Sequence, residues 1–227
     1  MTARGRHALV TGASSGIGAA VVDRLLADGW RVTGIARRPA EVDHPAFRAL
    51  PLDLADTARI GPALAGLAPD ALVHAAGVLR VGPVGALAAA DGEAMWRLHV
   101  MAAERLVDAL APRMPDRGRI VLIGSRTATG AAGRSQYAAT KAALVAMARS
   151  WAAELAGRGV TVNVVAPAAT DTPMLRDPAR SGLAPKLPPL GRFVRPDEVA
   201  GAVAFLLGAD AGAVTGQTLT ICGGSSL

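Results

Sequence analysis

Tyr137, the only tyrosine in the chain, and Lys141 lie four residues apart, a spacing that puts both side chains on one face of a helix. A free phenol has a pKa of about 10, and poising it near neutrality takes a shift of about 2 to 3 units, or about 3 to 4 kcal/mol in favour of the phenolate. An ammonium one turn away supplies much of that bias. Leu144, Val145, Ala148, Trp151, Ala152 and Leu155 continue at helical spacing, giving the helix an apolar stripe that can anchor the pair rigidly. Ser125, 12 residues ahead of Tyr137, carries a hydroxyl that can polarise an oxygen and that equally suits an ordinary turn. A tyrosine and a lysine on one helix are by themselves common surface residues. Their weight comes from a second cluster, Thr11-Gly12-Ala13-Ser14-Ser15-Gly16-Ile17-Gly18, whose glycines permit a tight turn and let backbone N–H groups approach a pyrophosphate. The positive end of a following helix favours that charge.

These groups need elements to hold them. Short apolar runs alternate with longer stretches of helical period, which predicts βαβ units. Strands are expected at His7–Thr11, Arg31–Ala36, Phe47–Leu52, Ala71–His74, Arg119–Ile123, Val160–Val165 and Thr218–Ile221, and helices at Ile17–Asp28, Thr57–Leu67, Gly92–Arg113, Gln136–Gly157 and Pro196–Leu207. Right-handed crossovers then give a Rossmann-type, doubly wound, seven-stranded parallel sheet with helices on both faces, in one α/β domain over residues 1–227. The proline-rich segment Ala168–Arg195 fits neither period and is expected to be an active-site flap. Ligands of such sheets bind beyond the carboxyl ends of the strands, and every group named above falls at those ends.

The second expected strand ends in Ala36-Arg37-Arg38, with no carboxylate to accept from ribose hydroxyls. A guanidinium can instead grip a 2′-phosphate, so Arg37, with Arg38 and Ser14 assisting, favours NADP(H) over NAD(H), against the plainer reading of two solvated arginines.

The Gly-x-x-x-Gly-x-Gly spacing at Gly12, Gly16 and Gly18 resembles the short-chain dehydrogenase/reductase family, as do Asp53-Leu54, Ala75-Ala76-Gly77, Tyr137-x-x-x-Lys141, Asn163 with Pro167, Gly191-Arg192, Pro196-Asp197-Glu198-Val199-Ala200, Thr215-Gly216-Gln217 and Gly223-Gly224. The resemblance spans nearly the whole chain. It implies hydride transfer between nicotinamide and a ketone or secondary alcohol, with Tyr137 as the acid/base, Ser125 on the substrate oxygen and Lys141 tuning Tyr137 and holding the nicotinamide ribose. It also implies cofactor contacts from Gly12, Ser14, Ser15, Gly16, Ile17, Gly18, Asp53 (at the adenine), Leu54, Ala75, Ala76, Gly77, Pro167, Thr170 and Thr172. Length and flap size are similar to 3-oxoacyl-thioester reductases, so an acyl-carrier-linked substrate is one candidate among many carbonyl compounds. Homotetramers or homodimers built on the fourth and fifth helices and the C-terminal region are implied too.

Several positions depart from that pattern. His99 stands where the family carries an asparagine that bends a helix and holds a relay water; an imidazole there could replace the relay, obstruct it or be structural. His74 precedes Ala75-Ala76-Gly77 where an asparagine is frequent, Ala168 follows Pro167 in place of glycine, and Cys222 replaces a common aspartate. His99 and the short Ser125 loop keep open an alternative, a cofactor-binding sensor or scaffold with little turnover. Arg126 and Arg134 flank the Ser125–Tyr137 region and could hold an anionic group or simply face solvent.

The bulk numbers exclude little but agree. With 227 residues, 51% hydrophobic and only 3% aromatic, the chain can bury one large core of small side chains. The net charge of +6, from 24 basic and 18 acidic residues, is scattered rather than run together, which argues against nucleic-acid binding. One cysteine and no secretory or membrane-length apolar stretch lead us to expect a cytoplasmic protein, with Cys222 a buried small hydrophobe. No histidine or cysteine pattern suggests a metal site.

Overall fold

The computed structural model describes residues 5–177 and 186–227. Seven parallel strands, β1 (His7–Thr11), β2 (Arg31–Ala36), β3 (Phe47–Pro51), β4 (Ala71–His74), β5 (Arg119–Ile123), β6 (Thr161–Pro167) and β7 (Thr218–Ile221), form one sheet in the order β3-β2-β1-β4-β5-β6-β7. β1 pairs with both β2 and β4. The chain therefore winds outward in both directions from β1, and the cleft between the carboxyl ends of β1 and β4 is the topological switch point.

Side-chain alternation along the strands splits the core in two. Leu9, Leu72, Ile120, Leu122, Val162 and Val164 face one layer, which carries α2 (Ile60–Ala63), α4 (Ala102–Leu110) and α5 (Ser135–Leu155). Ala8, Val10, Ala71, Val73, Val121 and Val165 face the other, covered by α1 (Gly16–Ala27) and α6 (Pro196–Leu207). β4 and β6 are buried along their whole length, as strands covered on both faces must be. Pro196 opens α6 at its first position, and Glu198 Oε2 accepts the Arg195 N–H at 2.8 Å, so this terminus is both pre-shaped and satisfied.

Element boundaries differ from expectation where backbone chemistry intervenes. β3 stops at Pro51, and β6 runs from Thr161 to Pro167, two residues further than expected. The expected helix over 57–67 is a 3₁₀ turn (Thr57–Arg59) followed by the single turn of α2, in a stretch holding Pro62 and Gly66. The largest departure is the expected long helix over 92–113. It divides into α3 (Ala89–Trp96), a π turn (Arg97–Met101) and α4, with a 3₁₀ end at Ala111–Arg113. Such one-residue expansions of a helix occur frequently at functional sites.

The flap expected over 168–195 is clamped at its base: Val194 N–H donates to Ala169 O at 3.0 Å and Asp171 N–H to Val194 O at 2.9 Å. Its residues 178–185 lie outside the described residues. Asn163 stitches β6 to the segment before β7, donating to Val214 O at 2.7 Å and accepting from Gln217 N–H at 3.0 Å. Cys222 is only partly buried, which corrects the expectation of a core thiol; a hydrogen bond from Ser226 lowers its pKa. Among the described residues no helix is long and apolar enough to cross a membrane.

Candidate active site

The glycine turn leaves β1 with Gly12 at φ +69° and Gly16 at φ +57°, in the left-handed region where a side chain is strained. Space is scarcer still. A Cβ on Gly12 would sit 2.9 Å from Ala76 N, and one on Gly18 would overlap the Gly12 carbonyl. The turn is thus folded against itself and against the end of β4, with Ser14 and Ser15 exposed beside it and α1 starting at Gly16. From the flap, Thr172 Cγ2 covers Gly16, at 3.2 Å from where its Cβ would be. Gly18→Ala is expected to lower NADPH affinity more than about a hundredfold and to lower the melting temperature, because the overlapping atom is backbone and cannot swing away. Gly61→Ala, where a Cβ meets open space, serves as the unaffected control in fluorescence titrations and thermal melts.

Arg37 and Arg38 are exposed at the end of β2, and neither is in an ion pair among the described residues. Asp53 is exposed with its Oδ1 accepting Ala55 N–H at 3.0 Å. Leu54 is different: its side chain packs into the core at 3% exposure, so only its main chain is available to a ligand. Ala75 and Ala76 are fixed by Thr11, whose Oγ1 accepts both their N–H groups at 3.1 and 3.0 Å.

Beyond the cradle opens a cavity of about 630 Å³ lined by Ile17, Ala75, Gly77, His99, Ser125, Tyr137, Lys141, Pro167, Thr170 and Thr172, among others. The expected catalytic set therefore meets Ile17, Ala75, Gly77, Pro167, Thr170 and Thr172 of the expected cofactor contacts in one cleft at the switch point. Lys141 is 5% exposed, donates from Nζ to Ile123 O at 2.8 Å and lies 5.7 Å from the Tyr137 ring centroid. Burial, with no counter-charge paired to it among the described residues, lowers its pKa to about 7. Ser125, 8% exposed, caps the 3₁₀ turn Arg126–Thr129, its Oγ accepting Thr127 N–H at 3.2 Å and lying 2.8 Å from Thr127 Oγ1. Thr127, which sequence reasoning passed over, lines the same cleft. When its hydroxyl donates to Ser125 Oγ, the serine proton is free to point at a ligand oxygen.

His99 sits at the centre of the π turn with no exposure. Its Nε2 accepts Val78 N–H at 3.0 Å, so the proton is on Nδ1, which donates to Thr140 Oγ1 at 2.9 Å; Thr140 in turn donates to Tyr137 O at 2.8 Å. Its ring meets that of Tyr137 edge-on, 5.7 Å between centroids. Both nitrogens are committed. Burial, the Lys141 ammonium and His74 keep the ring neutral, with a pKa well below the ordinary value.

His74 belongs to the same device. Thr11 Oγ1 spends both lone pairs on Ala75 and Ala76, so its single proton goes to His74 Nδ1, 2.9 Å away. Nε2 then carries the hydrogen; it lies against the Leu98 and His99 carbonyls of the π turn without closing a hydrogen bond to either. Burial first and Lys141 second lower the pKa of His74 to about 3.

Residues 12–226 match the family described as enoyl-(acyl carrier protein) reductase. The 3-oxoacyl-(acyl-carrier-protein) reductase of Salmonella typhimurium is 36% identical, over 99% of this chain and 98% of the relative. The 2,3-dihydro-2,3-dihydroxybenzoate dehydrogenase of Escherichia coli is also 36% identical, over 98% of each. Among solved structures, a metagenomic blue fluorescent protein in complex with NADPH superposes with a TM-score of 0.87 at 35% identity over the whole of both chains. A short-chain dehydrogenase from Burkholderia cenocepacia in complex with NADP gives 0.88 at 35% over 99% of each.

Proposed function

The chain belongs to the short-chain dehydrogenase/reductase family, and we propose that it is a cytoplasmic NADP(H)-dependent oxidoreductase that interconverts a ketone and a secondary alcohol. The observation that carries this reading is the convergence of Ser125, Tyr137 and Lys141 in one cleft that also takes in Ile17, from the start of the helix after the glycine turn. The same convergence disfavours a sensor or scaffold that has lost turnover.

The residues fit the cofactor. Gly12 and Gly18 let the turn fold too tightly for any Cβ, Ser14 and Ser15 stand exposed beside it, and Arg37 and Arg38, in no ion pair among the described residues, stand exposed at the end of β2. NADPH bound there supplies a hydride to the carbonyl carbon. Gly12, Ser14, Ser15, Gly16, Ile17 and Gly18 hold the pyrophosphate end, Arg37 and Arg38 the 2′-phosphate, Asp53 and the Leu54 main chain the adenosine, and Ala75, Ala76, Gly77, Pro167, Thr170 and Thr172 the nicotinamide half. Ser125 Oγ donates to the substrate oxygen, Tyr137 gives it a proton, and the Lys141 ammonium eases the loss of that proton. His99 acts as a positioning residue. With its ring neutral and both nitrogens bonded, it fixes the start of α5 through Thr140 and supports the edge of the Tyr137 ring.

Titration with NADPH and NADH, followed by tryptophan fluorescence, tests the cofactor half of this reading. Arg37→Asp is expected to weaken NADPH by about ten- to a hundredfold, the range of a lost charge-assisted pair, and NADH by less than about threefold. Equal weakening of the two would remove Arg37 from the phosphate site. For assembly we propose a homotetramer or homodimer; Trp96 and Met101 stay 44% and 37% exposed beside α5, an apolar face that a second copy would cover.

A further inference from the structure

The cleft is charged in one sense only. Among the described residues, Arg126, Arg134 and Lys186 line it together with Lys141, and no aspartate or glutamate does. Elsewhere the arginines of the described residues commonly find carboxylates: Arg24 with Asp28, Arg158 with Asp116, Arg176 with Asp171, Arg192 with Glu198 and Arg195 with Asp197. Among the described residues Arg126 and Arg134 are in no such pair, and the Nε of each is buried without a hydrogen-bond partner while the rest of the side chain stays partly exposed. An N–H that has given up water and gained no acceptor is costly, and it is kept only where something else benefits.

Their positions say what that is. Arg126 follows Ser125 directly, and Arg134 is three residues ahead of Tyr137, so the two flank the groups that meet the reacting oxygen. On that same reading the cofactor phosphates have partners of their own in the turns that follow β1 and β2. Leu79, Met174, Leu175 and Leu187 give the cleft an apolar stretch of wall. Resting on the reductase reading above, we propose that the substrate is a small oxo acid, whose carboxylate is held by Arg126 and Arg134 close to the carbonyl being reduced, with its hydrocarbon body on the apolar wall. Guanidinium forks match a carboxylate in just this way. A carrier-linked thioester fits less well, because its phosphate is a whole pantetheine arm from the carbonyl whereas these arginines adjoin Ser125 and Tyr137.

The test compares 3-oxohexanoate and 4-oxohexanoate, each against its methyl ester, and the N-acetylcysteamine thioester of 3-oxohexanoate. With NADPH, kcat/KM for one of the acids is expected to exceed that of its ester by about tenfold or more, and this ratio is expected to fall towards one in Arg126→Gln/Arg134→Gln. Calorimetric titration of NADPH-loaded Tyr137→Phe with the same acids and esters reads binding without turnover. Acids and esters reduced equally well, or the thioester preferred, would overturn the carboxylate site and leave the reductase reading standing. Tight, arginine-dependent binding of an acid with no reduction of any carbonyl would keep the site and overturn the reductase reading. Neither binding nor reduction would overturn both.

Discussion

Tyr137→Phe is expected to lower kcat for ketone reduction by about a thousandfold, within the range that a positioned general acid contributes. The substitution removes one oxygen and keeps the ring, whose seat is set by the edge of His99 at 5.7 Å and by Lys141 Nζ at 5.7 Å from its centroid. Packing therefore survives, and the change falls on proton transfer. NADPH affinity should move far less than kcat, since the cradle and Arg37 lie in the turns after β1 and β2. Lys141 sharpens the prediction: its ammonium stands buried without a counter-charge and is lowered to about 7, so the phenolate of Tyr137 is the anion nearest to hand for it. In the variant that anion cannot form. Single-turnover oxidation of NADPH in a stopped-flow instrument isolates the chemical step from product release. A loss smaller than about tenfold would mean that the proton comes from elsewhere, with water or Ser125 the remaining donors.

The parts of this molecule that were legible in the sequence are those set by local pattern. Six of the seven strands start where the apolar runs do, because a strand buried on both faces has little choice of residue, and Gly12, Gly16 and Gly18 announce their turn because nothing larger fits. The π turn was not legible. Residues 92–113 keep a helical period on both sides of it, and a one-residue slip leaves no glycine or proline behind; its partners, Val78, Thr140 and His74, come from three other segments. Thr127 was missed for a related reason, as its hydroxyl reaches Ser125 only once the 3₁₀ turn has formed. Whether Arg126 and Arg134 face the cleft or the solvent likewise depends on that turn and on the start of α5, which no periodicity encodes. Leu54 shows the converse, a motif residue whose side chain proved to be core.

The two histidines that replace the family's asparagines make a further prediction, about acid. His74 and His99 are both fully enclosed, both neutral, and linked through the π turn, where His74 Nε2 lies against the carbonyls of Leu98 and His99 itself. Neither can take a second proton cheaply: His99 Nε2 would lose Val78 N–H, His74 Nδ1 would lose the Thr11 hydroxyl, and Lys141 repels both charges. In the unfolded chain both titrate near 6.5. Their folded values are depressed, so below pH 6.5 the unfolded state binds up to two protons that the native state refuses, and stability falls as pH falls. The loss comes to about 2 kcal/mol between pH 6.5 and 5.5, a large part of the 5–15 kcal/mol that typically holds a domain together. Carboxylates respond lower down; Glu198, held at about 2 by its hydrogen bond from Arg192, weakens the fold only below about pH 4.5. The window therefore belongs to the imidazoles. Urea denaturation at pH 6.5 and 5.5 should show this fall in the natural chain, about half of it in His74→Asn or His99→Asn, and little in the double variant, in which an amide offers each site one acceptor and one donor without titrating. An undiminished loss in the double variant would place the acid sensitivity elsewhere in the molecule. Retention of turnover in His99→Asn at pH 7.5, alongside the altered acid profile, would show that the imidazole serves to position Tyr137 and does not itself carry the proton.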